Sequence, residues 1–195
     1  MSVSTVTLLR AHEYRRMPWK NGGGETTEIA VFPPEADLAG FGWRVSMATV
    51  ASDGPFSVFD GIDRTLLILD GPGMALTIAE EPPVVLTQTS DPLAFPADAP
   101  TSARLVGGPI LDLNVMTRRG QWHHRVIRQR VQGRIAVSPG NASHLLLLAR
   151  GDLRIGYGAG ECQLTPLDCA VIAGDVQIET DLPTEIIRID LTKIA

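Results

Sequence analysis

Thr65-Leu-Leu-Ile-Leu-Asp-Gly-Pro-Gly-Met-Ala-Leu-Thr-Ile78 is an apolar run of strand length, a tight glycine-proline turn and a second apolar run. Runs this short, bounded by Asp-Gly-Pro-Gly, read as strands and not as helix. A worn copy follows at Leu146-Leu-Leu-Ala-Arg-Gly-Asp-Leu-Arg-Ile155. Downstream, Leu86-Thr with Asp91-Pro-Leu-Ala-Phe-Pro-Ala-Asp98 matches Leu164-Thr with Asp168-Cys-Ala-Val-Ile-Ala-Gly-Asp175. The offset is 80 residues at Leu66/Leu146 and Gly71/Gly151, then 78 at Leu86/Leu164 and 77 at Asp98/Asp175. A near-constant offset with a small drift is the signature of a duplicated β unit with minor deletions.

The rest of the chain agrees with this unit. Its 19 glycines and 14 prolines punctuate further short runs such as Pro83-Val-Val-Leu-Thr87. Many short strands at such spacing predict an all-β sandwich or barrel. The best helical stretch is one or two turns over residues 11–16, ended by Pro18. At 195 residues and 44% hydrophobic content, folding removes roughly 70% of the extended chain's surface from water. A core of that size excludes a disordered chain and needs neither disulfide nor metal to hold it. No apolar run reaches a membrane span, no basic leader precedes an apolar stretch, and two cysteines, Cys162 and Cys169, make no disulfide framework. A cytoplasmic protein with no membrane partner is the expectation.

Charge is unevenly spread. Residues 1–112 hold seven basic and fourteen acidic side chains, residues 113–151 seven arginines and no acid, and residues 152–195 three basic and eight acidic ones. The arginine belt over 118–134 can meet an anion or pair with the acidic flanks, and head-to-tail or two-fold pairing of such a chain makes a homodimer possible. A pI of 5.3 argues against a dedicated nucleic-acid binder. The four histidines, His12, His123, His124 and His144, have no metal-ligand spacing, so no metal and no cofactor is expected. No nucleophile elbow or phosphate loop is present either.

Four dense segments carry the remaining chemistry. Pro18-Trp-Lys-Asn-Gly-Gly-Gly-Glu-Thr-Thr-Glu-Ile29 combines Lys20 and Asn21 with glycines, Gly23 among them, whose amides can approach a ligand closely. In Phe41-Gly-Trp-Arg-Val-Ser-Met-Ala-Thr-Val50, period two places Arg44 and Ser46 on one face and Trp43, Val45 and Met47 on the other. Ser52-Asp-Gly-Pro-Phe-Ser-Val-Phe-Asp-Gly-Ile-Asp-Arg64 reads as paired turns whose carboxylates satisfy local amides. In Gly107-Gly-Pro-Ile-Leu-Asp-Leu-Asn-Val-Met-Thr-Arg-Arg119, Asp112, Asn114 and Arg118 alternate with Leu111, Leu113 and Val115. Each polar row faces either water or a ligand.

Pro18-Trp-Lys-Asn-Gly-Gly-Gly, Trp43-Arg-Val-Ser, Asp53-Gly-Pro-Phe-Ser, Asp63-Arg and Gly108-Pro-Ile-Leu-Asp-Leu-Asn-Val-Met-Thr-Arg-Arg together resemble the HutD/Ves family, in this order, from about residue 8 onward. The resemblance implies a bicupin, two small jelly-roll-like β-barrels of the RmlC-like cupin type, lacking the usual metal histidines and associated with bacterial histidine utilisation. It supports Lys20, Asn21, Gly23, Arg44, Ser46, Arg64, Asp112, Asn114 and Arg118 as ligand-binding candidates, with no catalytic residue assigned. The expected halves are 1–115, carrying the site, and 116–195, a degenerate second barrel, with strands that can be shared. The expected function is binding a small anionic metabolite: urocanate, formiminoglutamate or N-formylglutamate. A metal-independent acid–base enzyme on the same molecules, or a regulatory partner-binding protein, are the alternatives. Lys20 and Arg44 are expected to converge on one cavity, Asn114 and Arg118 to enter it from the opposite strand, and Asp112 to orient Arg118 or another cation.

Overall fold

The structure, a computed structural model, describes residues 4–20, 22–158 and 160–195. It is built from strands, with no α-helix among the described residues. The first eight are β1 (Thr5–Leu9), β2 (Arg15–Pro18), β3 (Gly24–Phe32), β4 (Trp43–Val50), β5 (Gly54–Pro55), β6 (Ile62–Asp70), β7 (Met74–Ile78) and β8 (Val84–Leu86). Next come β9 (Leu93–Pro96), β10 (Thr101–Leu105), β11 (Ile110–Arg118), β12 (Trp122–Val137) and β13 (His144–Ala149). The last are β14 (Leu153–Tyr157), β15 (Gly160–Leu164), β16 (Cys169–Ala173) and β17 (Val176–Lys193). The helical stretch expected over residues 11–16 shrinks to one 3-10 turn, Ala11–Glu13. Arg15 onward is strand, because Arg15 to Pro18 pair with Glu28 to Glu25 across a hairpin, and cross-strand pairing outweighs a weak local helical preference.

Two compact units emerge, one of Arg15–Trp122, the other of the chain up to Tyr14 together with His123–Ala195. The division falls after Trp122, beyond the expected cut at residue 115, and the second unit is split in sequence. Its first strand, β1, pairs antiparallel with β16, Thr5 opposite Ala173 through Leu9 opposite Cys169. Contiguous halves fail here because an apolar, alternating strand binds whichever edge its register fits, however distant in sequence.

In the 15–122 unit a six-stranded sheet runs β2-β3-β4-β11-β6-β9 and a four-stranded sheet runs β5-β10-β7-β8. Ala48, Val50, Leu66, Ile68, Phe95 and Ile110 from the first pack with Met74, Leu76, Leu86 and Ala103 from the second in one buried cluster. The split unit has one seven-stranded sheet, β1-β16-β13-β17-β14-β15 with β12 on β17, around a core of Leu145, Leu147, Ile155, Ile172, Ile178 and Ile186.

The pairing pattern of one unit recurs in the other. β6 pairs with β9 and β11, as β13 pairs with β16 and β17. β7 pairs with β8 and β10, as β14 pairs with β15 and β17. The sequence offsets of 77 to 80 join β6, β7, β8 and β9 to β13, β14, β15 and β16. The turns at Gly71 and Gly151 follow corresponding strands but differ in conformation. Gly71 sits at φ +90 with Pro109 and Ile110 against it, whereas Gly151 is not left-handed.

Candidate functional site

The inner face of the six-stranded sheet is set by register. On β11, Asp112 lies opposite Ala48 and Ile68, Asn114 opposite Ser46 and Leu66, and Met116 opposite Arg44 and Arg64. Glu28 of β3 lies opposite Ser46. A bulge between Glu28 and Ala30 shifts the parity of β3, so that Val31, opposite Arg44, continues the face that Glu28 begins. Asp112, Asn114, Ser46, Glu28, Arg44 and Arg64 therefore form polar rows between two apolar clusters. The inter-sheet core lies on one side, and Phe41, Ile62, Ala97 and Met116 lie on the other. Neither polar row faces water: Arg44 is 5% exposed, Ser46 2%, Arg64 3%, Asp112 0% and Asn114 7%.

Charges this deep require partners. Arg44 Nε donates to Glu28 Oε2 at 2.7 Å, and the pair is closed. Arg64 is different. Its guanidinium carbon lies 5.3, 5.4 and 5.7 Å from the ring centres of Phe56, Phe59 and Phe95, an aromatic cage that favours a cation. Its Nη2 donates to the Ser57 carbonyl at 3.4 Å, and its buried Nε has no hydrogen-bond partner among the described residues. Burial, opposed by the Asp112 charge and reinforced by Arg44, lowers its pKa to about 10, so it remains a cation at neutral pH.

Asp112 Oδ1 accepts from Asn114 Nδ2 at 2.7 Å, while its buried Oδ2 has no hydrogen-bond partner among the described residues. Burial pushes its carboxyl up to about 7, against the pull of the Arg64 cation, the Asn114 amide and the Ala48 backbone amide. Asp112 thus bears electrostatically on Arg64. It does not orient Arg118.

The other expected contributors lie elsewhere. Arg118 donates to the Phe41 carbonyl at 3.0 Å and the Ala39 carbonyl at 2.7 Å, with its guanidinium 5.8 Å from the Phe41 ring. It secures the loop before β4 because it stands at the end of β11, where free carbonyls are within reach. Lys20 is exposed on the β2–β3 hairpin and does not converge with Arg44. Asn21 lies outside the described residues. Gly23 is buried, but its carbonyl accepts the Ala51 amide at 2.9 Å, so this glycine serves strand pairing. Asp53 caps the Leu105 amide at 2.7 Å, 52 residues away, so this turn carboxylate satisfies a distant amide and not a local one.

Reasoning from sequence missed Glu28 and the three phenylalanines. Glu28 was detectable only through pairing of β3 with β4. The phenylalanines carried a faint signal: three of only five in the chain surround one arginine. Among the described residues no three His, Cys, Asp or Glu side chains group as a metal site requires. The inner layer offers only Asp112 and the arginine-paired Glu28, a donor set that does not fit a metal ion. The split unit has an open groove of about 370 Å³ lined by Arg134, Arg154, Tyr157, Glu161, Asp175 and Glu179 among others. Both arginines are paired to Glu179, at 2.7 and 3.3 Å, which makes this groove a poor receptor for a carboxylate.

The HutD family model matches residues 11–187. The chain belongs to the HutD family. A 21.2 kDa protein of the hutC 3' region of Pseudomonas putida is 35% identical over 177 residues, 90% of this chain and 91% of that one. The solved structure of HutD from Pseudomonas fluorescens SBW25, in a formate condition, is 33% identical with a TM-score of 0.81, covering 98% of this chain and 100% of that one. A solved protein from Pseudomonas aeruginosa PAO1 is 33% identical with a TM-score of 0.89, over 96% and 99%. The HutD family is linked by these names to a histidine-utilisation locus. More distant likeness, to YhhW of Escherichia coli at 10% identity and a TM-score of 0.71 over 97% and 99% of the two chains, places the all-β fold among cupin-like structures. No helix among the described residues is long and apolar enough to cross a membrane.

Proposed function

We propose that the 15–122 unit binds a small carboxylate metabolite of histidine utilisation on its inner polar layer, without a metal. The observation that carries this reading is Arg64, a buried cation in an aromatic cage with an unused Nε donor. Arg44, Ser46, Asn114 and Asp112 complete the site, and Lys20 and Arg118 stand outside it. Urocanate, formiminoglutamate and N-formylglutamate are all carboxylates, the class a guanidinium recognises best. Two barrels of a bicupin suit the recurrent strand pairing. A cytoplasmic setting suits the two free cysteines.

A second reading, a metal-independent acid–base enzyme on the same molecules, is favoured by the Asp112 carboxyl, which burial raises to about 7, where a general acid–base group is most effective. Titrating the three metabolites into the protein by calorimetry, then assaying the mixture for product by mass spectrometry, separates the two. We expect binding by at least one of them, and Arg64→Met, which preserves packing among the phenylalanines, to weaken it about tenfold to a hundredfold, the worth of one charge-assisted hydrogen bond of about 1.5–3 kcal/mol. Unchanged affinity in Arg64→Met rejects the site. Product formation favours the enzyme.

A further inference from the structure

The inner layer has a charge balance that an incoming anion must disturb. Among its described groups Arg44 and Arg64 are cations and Glu28 and Asp112 are acids, and Glu28 is committed to Arg44 at 2.7 Å. Of the other titratable groups on the strands around Asp112, Asp70 is exposed at the end of β6, Asp63 pairs with Arg119, Glu25 with Arg16, and Arg118 donates to loop carbonyls. β4 contributes Arg44, Ser46 and Ala48, β3 Glu28, β6 Arg64 and Ile68, and β9 Phe95. The opposing sheet contributes Met74, Leu76, Leu86 and Ala103. Arg15, opposite Glu28 on β2, is exposed. A carboxylate seated at Arg64 would leave one uncompensated negative charge in an interior that does not tolerate it.

We propose that Asp112 takes up one proton when a carboxylate binds at Arg64, so that the layer accepts its ligand as anion plus proton. This rests on the reading of Arg64 as the carboxylate site. The proton adds to Oδ2, the oxygen left without a partner, and the carboxyl turns from a competitor for Arg64 into a hydrogen-bond donor that the bound carboxylate can accept. Asn114, holding Oδ1 at 2.7 Å, leaves Oδ2 as the free face. Asp112 is therefore a specificity residue. It rejects the anion when ionised and welcomes it when neutral. The raised carboxyl of Asp112 places the change near neutrality.

Formate, ionised throughout the range, is the probe. Its affinity for the full chain is measured by calorimetry from pH 6 to pH 9, in pairs of buffers with different ionisation heats, so that protons taken up per formate are counted. The expected result is affinity falling toward tenfold per pH unit above about 7 with uptake approaching one proton, and Asp112→Asn binding formate with a flat pH profile and no uptake. Wild-type affinity that is flat across the range, or an Asp112→Asn profile as steep as the wild type, overturns the proposal while leaving the Arg64 site standing. Absence of formate binding at every pH overturns both. The proton count is made on the wild-type protein, so the test survives an Asp112→Asn variant that does not fold.

Discussion

Asp168 and Lys20 show how differently two charged residues can be employed. Asp168 accepts from Arg10 Nη1 and the Ala11 amide, each at 2.8 Å, from the Thr165 amide at 3.1 Å and from the Thr165 hydroxyl at 3.0 Å. Burial alone would raise its pKa, but these four donors outweigh burial and hold it below the ordinary carboxylate range. A carboxyl so depressed adds stability at pH values above the unfolded-state pKa, and that contribution is lost as pH falls through the folded value. Asp168→Asn should cost about 1–3 kcal/mol in urea unfolding at pH 7, and its deficit against the wild type should shrink as pH is lowered toward 3. Lys20, exposed on its hairpin, should matter little: Lys20→Ala is expected to change carboxylate affinity by no more than about twofold, where Arg64→Met changes it tenfold or more. Side-by-side titration of the two variants checks this.

At the scale of elements, β1 is the piece whose place could not be inferred from its neighbours in sequence. It closes the β16 edge, and Tyr14, just after it, donates its hydroxyl to the Leu167 carbonyl at 2.9 Å. Its loss would uncover five residues of β16 backbone, an edge prone to opening and pairing with other chains. Removing residues 1–10 should therefore speed amide hydrogen exchange in β16 while leaving β11 in the 15–122 unit protected. Equal loss of protection in both strands would show that the two units unfold as one. The short helical turn after β1 has a similar lesson. Ala11 and Glu13 do turn, but the amide of Ala11 is held by Asp168, so a contact 157 residues away in sequence fixes where the turn sits.

Across the whole molecule, three of the six arginines in the belt over 118–134 pair with acids, while Arg125 and Arg130 are exposed. Arg128 pairs with Glu185 at 2.8 Å and Arg134 with Glu179 at 2.7 Å, joining β12 to the acids of β17. Arg119 pairs with Asp63 at 2.8 Å and Asp98 at 3.0 Å. Neutralised in place, these side chains release few counterions to a polyanion. Duplex DNA should accordingly bind no more tightly than the roughly 10⁻⁴–10⁻⁶ M of non-specific contact at 0.15 M salt, measured by fluorescence anisotropy. A tight, sequence-selective complex at that salt would restore the regulatory reading.

Strand-length apolar runs, their glycine and proline boundaries and the 77–80 residue offset were all present in the sequence, because strand propensity, turn chemistry and duplication are written locally. So was the parity that puts Arg44 with Ser46 and Asp112 with Asn114, since alternation along one strand needs no partner. Which strands lie side by side was not local. The pairing of β3 with β4 brought Glu28 to Arg44, the pairing of β6 with β9 brought Phe95 to Arg64, and β1 crossed to the far end of the chain. Motif similarity grouped Lys20 and Arg118 with Arg44 and the rest of the buried polar layer because all of them stand in the same family motifs. Only the tertiary structure separated these two from that layer, by leaving one on an exposed hairpin and turning the other to loop carbonyls. Register, bulges and long-range pairing decide which side chains share an interior, and a sequence read one strand at a time does not contain them.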